Sequence, residues 1–311
     1  MNMRVFFKTI GMAMCVFLAI IGGILLGLHL TPQVGDVMIG GDPIESDRVN
    51  VLLFGKDKVA SLTDTIILAS LNTENGDVST ISIPRDTRLL IEGRYRKINE
   101  AYGVGVSLYK QGKVETEEEI LIRAVREVTG LPIHHFVKLD TSSFREIIDV
   151  LGGVEVDVPQ PGMHYDDPVQ DLHIHIDAGR QVLNGAKAEQ FVRFRSGYAN
   201  GDLGRVSAQQ YFIKCFIDQK VNLRYLGKVD NIAKILTEAV DTSLSGAQIT
   251  KYAMLAPKIS TDRVYMFMLP STAQNIDGIS YVVRYDKHLQ EMADIRAVYF
   301  SDDPVEVPVT E

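Results

Sequence analysis

The chain has 311 residues, 46% of them hydrophobic, and a formal net charge of −8. That length supports one substantial core or two smaller ones, and no repeat at solenoid spacing divides it, so a single large domain is expected. Arg4 and Lys8 are the only fully charged residues among the first thirty, which leaves about −10 on the remainder and argues against non-specific nucleic-acid binding. The two cysteines, Cys15 and Cys215, lie in unlike parts of the chain and imply no intramolecular disulfide.

From Thr9 to Leu30 the only ionisable side chain apart from Cys15 is His29. At about 1.5 Å per helical residue this stretch covers the roughly 30 Å of a bilayer's hydrocarbon. Arg4 and Lys8 precede it and Asp36, Asp42 and Glu45 follow, an asymmetry that keeps the N-terminus cytoplasmic and the rest outside. The stretch is longer than a usual signal-peptide core and Leu28-His29-Leu30-Thr31-Pro32 offers no small-x-small cleavage site, so it is expected to remain as an anchor. Pro32, Gly35, Gly40, Gly41 and Pro43 then mark a linker without periodicity.

Short runs of β-branched and apolar residues predict strands over 49–54, 65–71 and 78–83, with Asn72 to Gly76 as a hairpin turn. Thr116 and Glu119 predict a capping box ahead of a helix that buries Ile120, Leu121, Ala124, Val125 and Val128 and stops at Gly130. A second helix from Thr141 buries Phe144, Ile147, Ile148 and Leu151 before Gly152-Gly153. Strands follow over 154–158, 173–176 and 190–195, then a long helix from about Leu203 and further mixed elements to about residue 295. This mixture predicts an α/β domain, layered α/β/α around a central mixed sheet and preceded by one transmembrane helix.

Four places concentrate charge. On a strand over 190–195, Val192 and Phe194 share one face, and Arg193 and Arg195 stand about 6.6 Å apart on the other. Two such guanidiniums either hold an anion between them, for which phosphate suits their forked donors, or each pairs with its own surface carboxylate. Gly201-Asp202-Leu203-Gly204-Arg205 is a turn feeding a helix, with Asp202 as N-cap and Arg205 and Gln209 four apart on one face, where a helix N-terminus already favours anions. Pro84 ends a strand and presents Arg85 at the end of the sheet, with Lys97 following in Arg96-Lys97-Ile98-Asn99. Asp57 and Asp64 flank the loop between the first two strands, either as turn formers or as carboxylates that share a hard divalent cation. His164, His173 and His175, with Asp166 and Asp167, are metal ligands by type but match no compact zinc spacing, and the alternative is that His173 and His175 simply face solvent on a strand. Gly103-Val104-Gly105 lacks the setting of a dinucleotide loop, and no Gly-x-Ser-x-Gly elbow is present.

Taken together, the blocks Leu-Leu-Phe-Gly-Lys-Asp (52–57), Thr-Asp-Thr (63–65), Ser-Ile-Pro-Arg-Asp-Thr (82–87), Lys-Ile-Asn-Glu-Ala-Tyr (97–102), Leu-Gly-Gly-Val-Glu-Val-Asp-Val-Pro (151–159), Leu-Asn-Gly-Ala-Lys-Ala (183–188), Phe-Val-Arg-Phe-Arg (191–195) and Gly-Asp-Leu-Gly-Arg (201–205), behind a membrane anchor, resemble the LytR-CpsA-Psr family. The likeness spans roughly residues 49 to 220 and weakens to about 295. It implies an apolar pocket for a polyprenyl tail, an arginine-rich mouth for its pyrophosphate, and a phosphotransferase that moves a secondary or anionic cell-wall glycopolymer from a polyprenyl-pyrophosphate carrier to peptidoglycan. By motif, Asp57 and Asp64 would coordinate Mg²⁺, with Mn²⁺ as a substitute. Arg85, Lys97, Arg193, Arg195, Arg205 and Gln209 would hold the phosphates, and Asp57, Asp64, Arg85, Arg193 and Arg195 would carry the catalysis.

The implied organisation is a cytoplasmic N-terminus (1–8), an anchor (9–30), a linker (31–48), an extracytoplasmic catalytic domain (49–300) and a C-terminal tail (301–311). Two departures stand out. The family's Arg-x-x-Arg-Gln-Gln reads Arg205-Val-Ser-Ala208-Gln-Gln here, and the short loop before Asp64 carries Lys56 and Lys58. Two rivals keep the same cationic cradle: a hydrolase of lipid pyrophosphate, and a non-catalytic lipid-glycan receptor or envelope regulator.

Overall fold

The structure, a computed structural model, describes residues 47–56, 62–139, 141–167, 172–194, 208, 211–212, 214–216, 218–220, 240–253, 255, 258–259 and 261–301. The expected anchor over 9–30 lies outside these residues. Among the described residues no helix is long and apolar enough to cross a membrane.

Strands β1 (Arg48–Lys56), β2 (Thr63–Asn72) and β3 (Val78–Ser82) form an antiparallel meander. The expected turn between β2 and β3 closes as Asn72 Oδ1 accepts from the amides of Glu74 and Asn75, at 2.9 and 3.0 Å, and Gly76 takes the positive φ (83°) that a side chain would strain. Strand β6 (His135–Leu139) adds in parallel to β1, and β12 (Val264–Met268) in parallel to β3. With β11 (Asp241–Thr242) at the far edge, the sheet order is β11-β6-β1-β2-β3-β12. Strands β1, β3, β6 and β12 therefore run the same way, and their carboxyl ends share one edge of the sheet.

Strand alternation divides the interior in two. Val51, Leu53, Ile67 and Ala69 join one buried cluster, while Leu52, Phe54, Ile66 and Leu68 join the other. The first is covered by α3 (Thr141–Val150), α4 (Gly185–Arg193) and the helical residues Phe212 and Phe216. The second is covered by α1 (Ala101–Lys110), α2 (Glu119–Thr129) and α6 (Asp286–Tyr299). A further helix, α5 (Gly246–Ala253), precedes β12. The layered α/β arrangement with a central mixed sheet is as expected, and each fully buried aliphatic side chain in it contributes about 1.5–3 kcal/mol.

Around this body lie four two-stranded ribbons: β4 (Arg88–Ile91) with β5 (Arg94–Lys97), β7 (Val154–Val158) with β10 (Gly179–Leu183), β8 (Met163–Asp167) with β9 (Leu172–Ile176), and β13 (Thr272–Ile276) with β14 (Ile279–Val283).

Two expectations change. Of the segment 190–195 expected as a strand, the described residues are not one: Gln190 to Arg193 close α4, and Phe194 is its C-cap. The Asn184 side chain caps this helix, accepting from the Lys187 amide at 2.9 Å, and Ala188, Phe191 and Val192 form its buried stripe. Helix α2 begins at Glu119 rather than on a Thr116 capping box. Glu117 is drawn to Tyr102 and Glu118 to Lys138, so tertiary bonds hold the preceding residues out of the helix, and Glu119 accepts instead from the Glu115 amide at 2.8 Å. Helix α1 carries Gly103 and Gly105 in its interior. A Cβ on Gly105 would lie 2.2 Å from the Glu117 carbonyl oxygen, so glycine is what permits α1 to pack there.

Candidate active site

The carboxyl edge of the sheet gathers the charged residues that the strands cannot absorb. Between β1 and β2 the register slips: Gly55 pairs with Thr65 and Lys56 with Thr63, which leaves Asp64 as the extra residue of a bulge. Asp64 belongs to β2, but its side chain lies outside the described structure, and Asp57 lies outside it altogether. Beside Asp64, Thr63 donates to the carbonyl of Asn99 at 3.3 Å, tying the start of β2 to the segment that carries Lys97.

Arg85 follows directly from β3. The Ile83 amide donates to Ile66, and Pro84 accepts from both the amide (3.0 Å) and the hydroxyl (2.6 Å) of Thr87, so a tight turn replaces further pairing. The amide of Asn99 donates to the Arg85 carbonyl at 3.1 Å and that of Ile98 to the Thr87 carbonyl at 2.8 Å. Two chain segments ten residues apart are thereby laid side by side. Between them stands Asp86, whose carboxylate takes the Lys97 ammonium at 2.7 Å and lies 3.8 Å from Arg85 Nε. Asp86 was not singled out in the sequence, although it sits inside the Ser-Ile-Pro-Arg-Asp-Thr block. All three side chains are largely buried, at 15–26% exposure, so the cations are held in place rather than waving in solvent.

Aromatic rings flank this cluster. The Arg88 guanidinium lies 3.6 Å from the Tyr95 ring centre and 5.6 Å from that of Tyr281, and Lys97 Nζ lies 5.7 Å from Tyr281. The result is a concentrated cationic surface, with Asp86 as its central counter-charge.

Arg193 is placed differently from expectation. It ends α4, and its Nη1 donates to Glu189 one turn back at 2.6 Å. Glu189 is 4% exposed and also binds Arg145 from α3 through its other carboxylate oxygen. Arg193 thus pairs on a helix with a carboxylate that is buried and shared with Arg145, not with a surface carboxylate of its own. This pairing occupies one of five guanidinium donors and fixes the direction of the rest. Arg195, Arg205 and Gln209 lie outside the described residues, so of the expected phosphate ligands the structure joins Arg85 to Lys97 through Asp86 and places Arg193 on α4.

A second ionic group stands at the same edge. Lys138, next to the last residue of β6, contacts Glu118 at 3.2 Å and Asp241 at 2.5 Å and donates to the Tyr102 hydroxyl at 3.3 Å. Tyr102 donates in turn to Glu117 at 2.8 Å and packs its ring 5.4 Å from that of Phe54. Burial, reinforced by Glu117, pushes the Tyr102 phenol up to about 12. For Lys138, burial alone would lower the pKa, but the bonds to Asp241 and Tyr102 outweigh it and hold the ammonium above the usual lysine range.

Two buried oxygens near the start of β2 are of the kind a hard divalent cation takes. Thr65 Oγ1 and Asn99 Oδ1 are buried oxygens without a hydrogen-bond partner among the described residues, and Thr65 follows Asp64 in the chain. Carboxylate, hydroxyl and amide oxygens form the donor chemistry that Mg²⁺ takes.

A sequence model of the LytR_cpsA_psr family matches residues 37–297. The polyisoprenyl-teichoic acid--peptidoglycan teichoic acid transferase TagU of Oceanobacillus iheyensis is 29% identical over 256 residues, 80% of this chain and 75% of that protein. The corresponding transferase TagV of Bacillus subtilis is 32% identical over 186 residues, which span 58% of this chain and 45% of that protein. The crystal structure of B. subtilis TagV aligns with a TM-score of 0.62 at 23% identity, over 81% of this chain and 97% of that one, a likeness of fold.

Proposed function

This chain belongs to the LytR-CpsA-Psr family, and from that premise we propose that it transfers a teichoic acid or another secondary cell-wall glycopolymer from a polyprenyl-pyrophosphate carrier to peptidoglycan. The observation that carries this reading is the Arg85–Asp86–Lys97 cluster at the carboxyl edge of the sheet, in a chain whose relatives are teichoic acid transferases. Open α/β sheets bind their ligands at that edge.

In the reaction, a peptidoglycan sugar hydroxyl bonds to the glycan-side phosphorus. The bridging P–O bond to polyprenyl phosphate breaks, and the hydroxyl proton passes to a base, for which Asp57 and Asp64 are the candidates. Arg85 and Lys97 bind the pyrophosphate and stabilise charge as it moves onto the leaving phosphate. Arg193, steadied by Glu189, supplies a further directed guanidinium, and Arg195, Arg205 and Gln209 complete the cradle. Asp57 and Asp64 would hold Mg²⁺ or Mn²⁺, which when bound neutralises pyrophosphate charge. Residues 9–30 anchor the protein and leave 31–311 outside the cytoplasm, where both substrates reside.

The test is product analysis with the full-length chain in detergent, a defined lipid-linked glycan and peptidoglycan fragments. Polymer joined to peptidoglycan is expected, with loss of turnover in chelator and a roughly 10- to 150-fold drop for Lys97→Ala, equivalent to about 1.5–3 kcal/mol for one charge-assisted contact. Free glycan phosphate would identify a hydrolase, and unchanged substrate a receptor.

A further inference from the structure

The β8–β9 ribbon carries side chains that phosphoryl transfer does not use. Its register pairs His164 with His175 and Asp166 with His173. Met163, Ile174 and Ile176 are buried on one face, with Tyr165 packed against the same cluster. Strand alternation therefore sets three imidazoles and a carboxylate on the other face, in two directly opposed pairs. His173 Nδ1 lies 2.6 Å from Asp166 Oδ1, and His175 Nε2 lies 3.1 Å from the same oxygen. One ligand atom from each of Asp166, His173 and His175 falls within 4.8 Å of the others. The His164 ring centre is 6.0 Å from that of His175, and Gly162 leaves room for it, since a Cβ there would come within 3.0 Å of His164 Nε2.

We propose that the outer face of the β8–β9 ribbon binds a divalent transition metal, Zn²⁺ foremost, through Asp166, His173 and His175, with His164 in reach of a fourth position. Zn–N and Zn–O bonds of about 2.0–2.2 Å put tetrahedral ligand atoms roughly 3.3 Å apart, so modest side-chain rotation converts the observed contacts into a coordination sphere. Imidazole nitrogens select against Mg²⁺ and Ca²⁺, which take oxygen, and this separates the site from the carboxylate-based one at the sheet edge. A two-stranded ribbon is marginal by itself, and among the described residues this one pairs with no strand of the central sheet. A metal bridging its strands would rigidify it. The ribbon also meets α4, where the His175 amide donates to Gln190 Oε1 at 3.2 Å, so its order bears on the helix that ends in Arg193.

The experiment is calorimetric titration of the tag-free, full-length chain in detergent with Zn²⁺ alone, in excess Mg²⁺. One saturable equivalent at micromolar or tighter affinity is expected. His173→Gln and His175→Gln should each weaken it roughly tenfold or more, and the double variant should abolish it. Co²⁺ in place of Zn²⁺ should give the visible absorption of a tetrahedral ion, lost in the double variant. In the parent protein, Zn²⁺ should slow amide exchange in β8 and β9. All four ligands are solvent-facing, so the variants should fold, as circular dichroism would verify. Absence of a saturable equivalent, or an equivalent kept at unchanged affinity by the double variant, overturns the proposal. Transfer activity enters none of these readouts.

Discussion

Tyr102 is where a single hydroxyl links core packing to charge. Its ring is 1% exposed against Phe54, while its oxygen donates to Glu117 and accepts from Lys138. A phenol raised from 10.0 to about 12 stays neutral in the folded protein over a range in which the unfolded chain ionises. The stabilisation is therefore complete below pH 10 and is lost as pH climbs from 10 to 12, by an amount on the order of 2 kcal/mol. Lys138, also raised, loses its contribution in the same direction. Denaturant unfolding across that window should show stability falling, and Tyr102→Phe should flatten the fall while lowering stability at neutral pH. An identical slope in the variant would place the alkaline loss elsewhere. At this scale the candidate site was partly legible. Arg85 and Lys97 stood out because Pro84 ends a strand and a basic cluster follows, but their common counter-ion, Asp86, becomes visible only when two segments are laid together.

Helix α4 shows why local alternation misleads. Over 192–195, apolar and charged residues alternate as in a strand, yet residues 190–193 close a helix whose signals lie earlier, in Asn184 and the spacing of Ala188, Phe191 and Val192. So short a window fits both periods, and tertiary packing decides between them. The strands β1 to β3 and helices α2 and α3 were legible because each buries a long periodic face, whereas the histidine face of β8–β9 depends on cross-strand register that no spacing rule contains. The packing behind α4 is tight: a Cβ on Gly185 would lie 2.1 Å from the Arg145 carbonyl oxygen, and the Gly185 amide donates to Asp149 at 2.7 Å. Gly185→Ala should force α3 and α4 apart and cost about 1–3 kcal/mol. Asn184→Ala, which removes the cap alone, should cost about 0.5–2 kcal/mol. Thermal unfolding of both variants checks this. A Gly185→Ala protein as stable as the parent would mean the helices separate without strain.

The described domain is a sheet with a core on each face, and β2 belongs to both. Ile67 and Leu68 are neighbours in the chain and each is fully buried, but Ile67 packs with Leu53 in one cluster and Leu68 with Leu52 and Ile81 in the other. If the two cores were independent units, weakening one would detach it while the other persisted. The shared strands argue otherwise, since losing either layer exposes backbone and side chains of the same β2. Ile67→Ala and Leu68→Ala should each cost about 2–5 kcal/mol through lost burial and the cavity left behind. Because the two side chains point to opposite faces and share no packing partners, the double variant should lose the sum of the two to within about 0.5 kcal/mol. Denaturant unfolding should remain one transition in all four proteins, with a common slope. A second transition in either single variant would show that one layer unfolds alone. A coupling well above 0.5 kcal/mol would show that the sheet transmits packing from one face to the other.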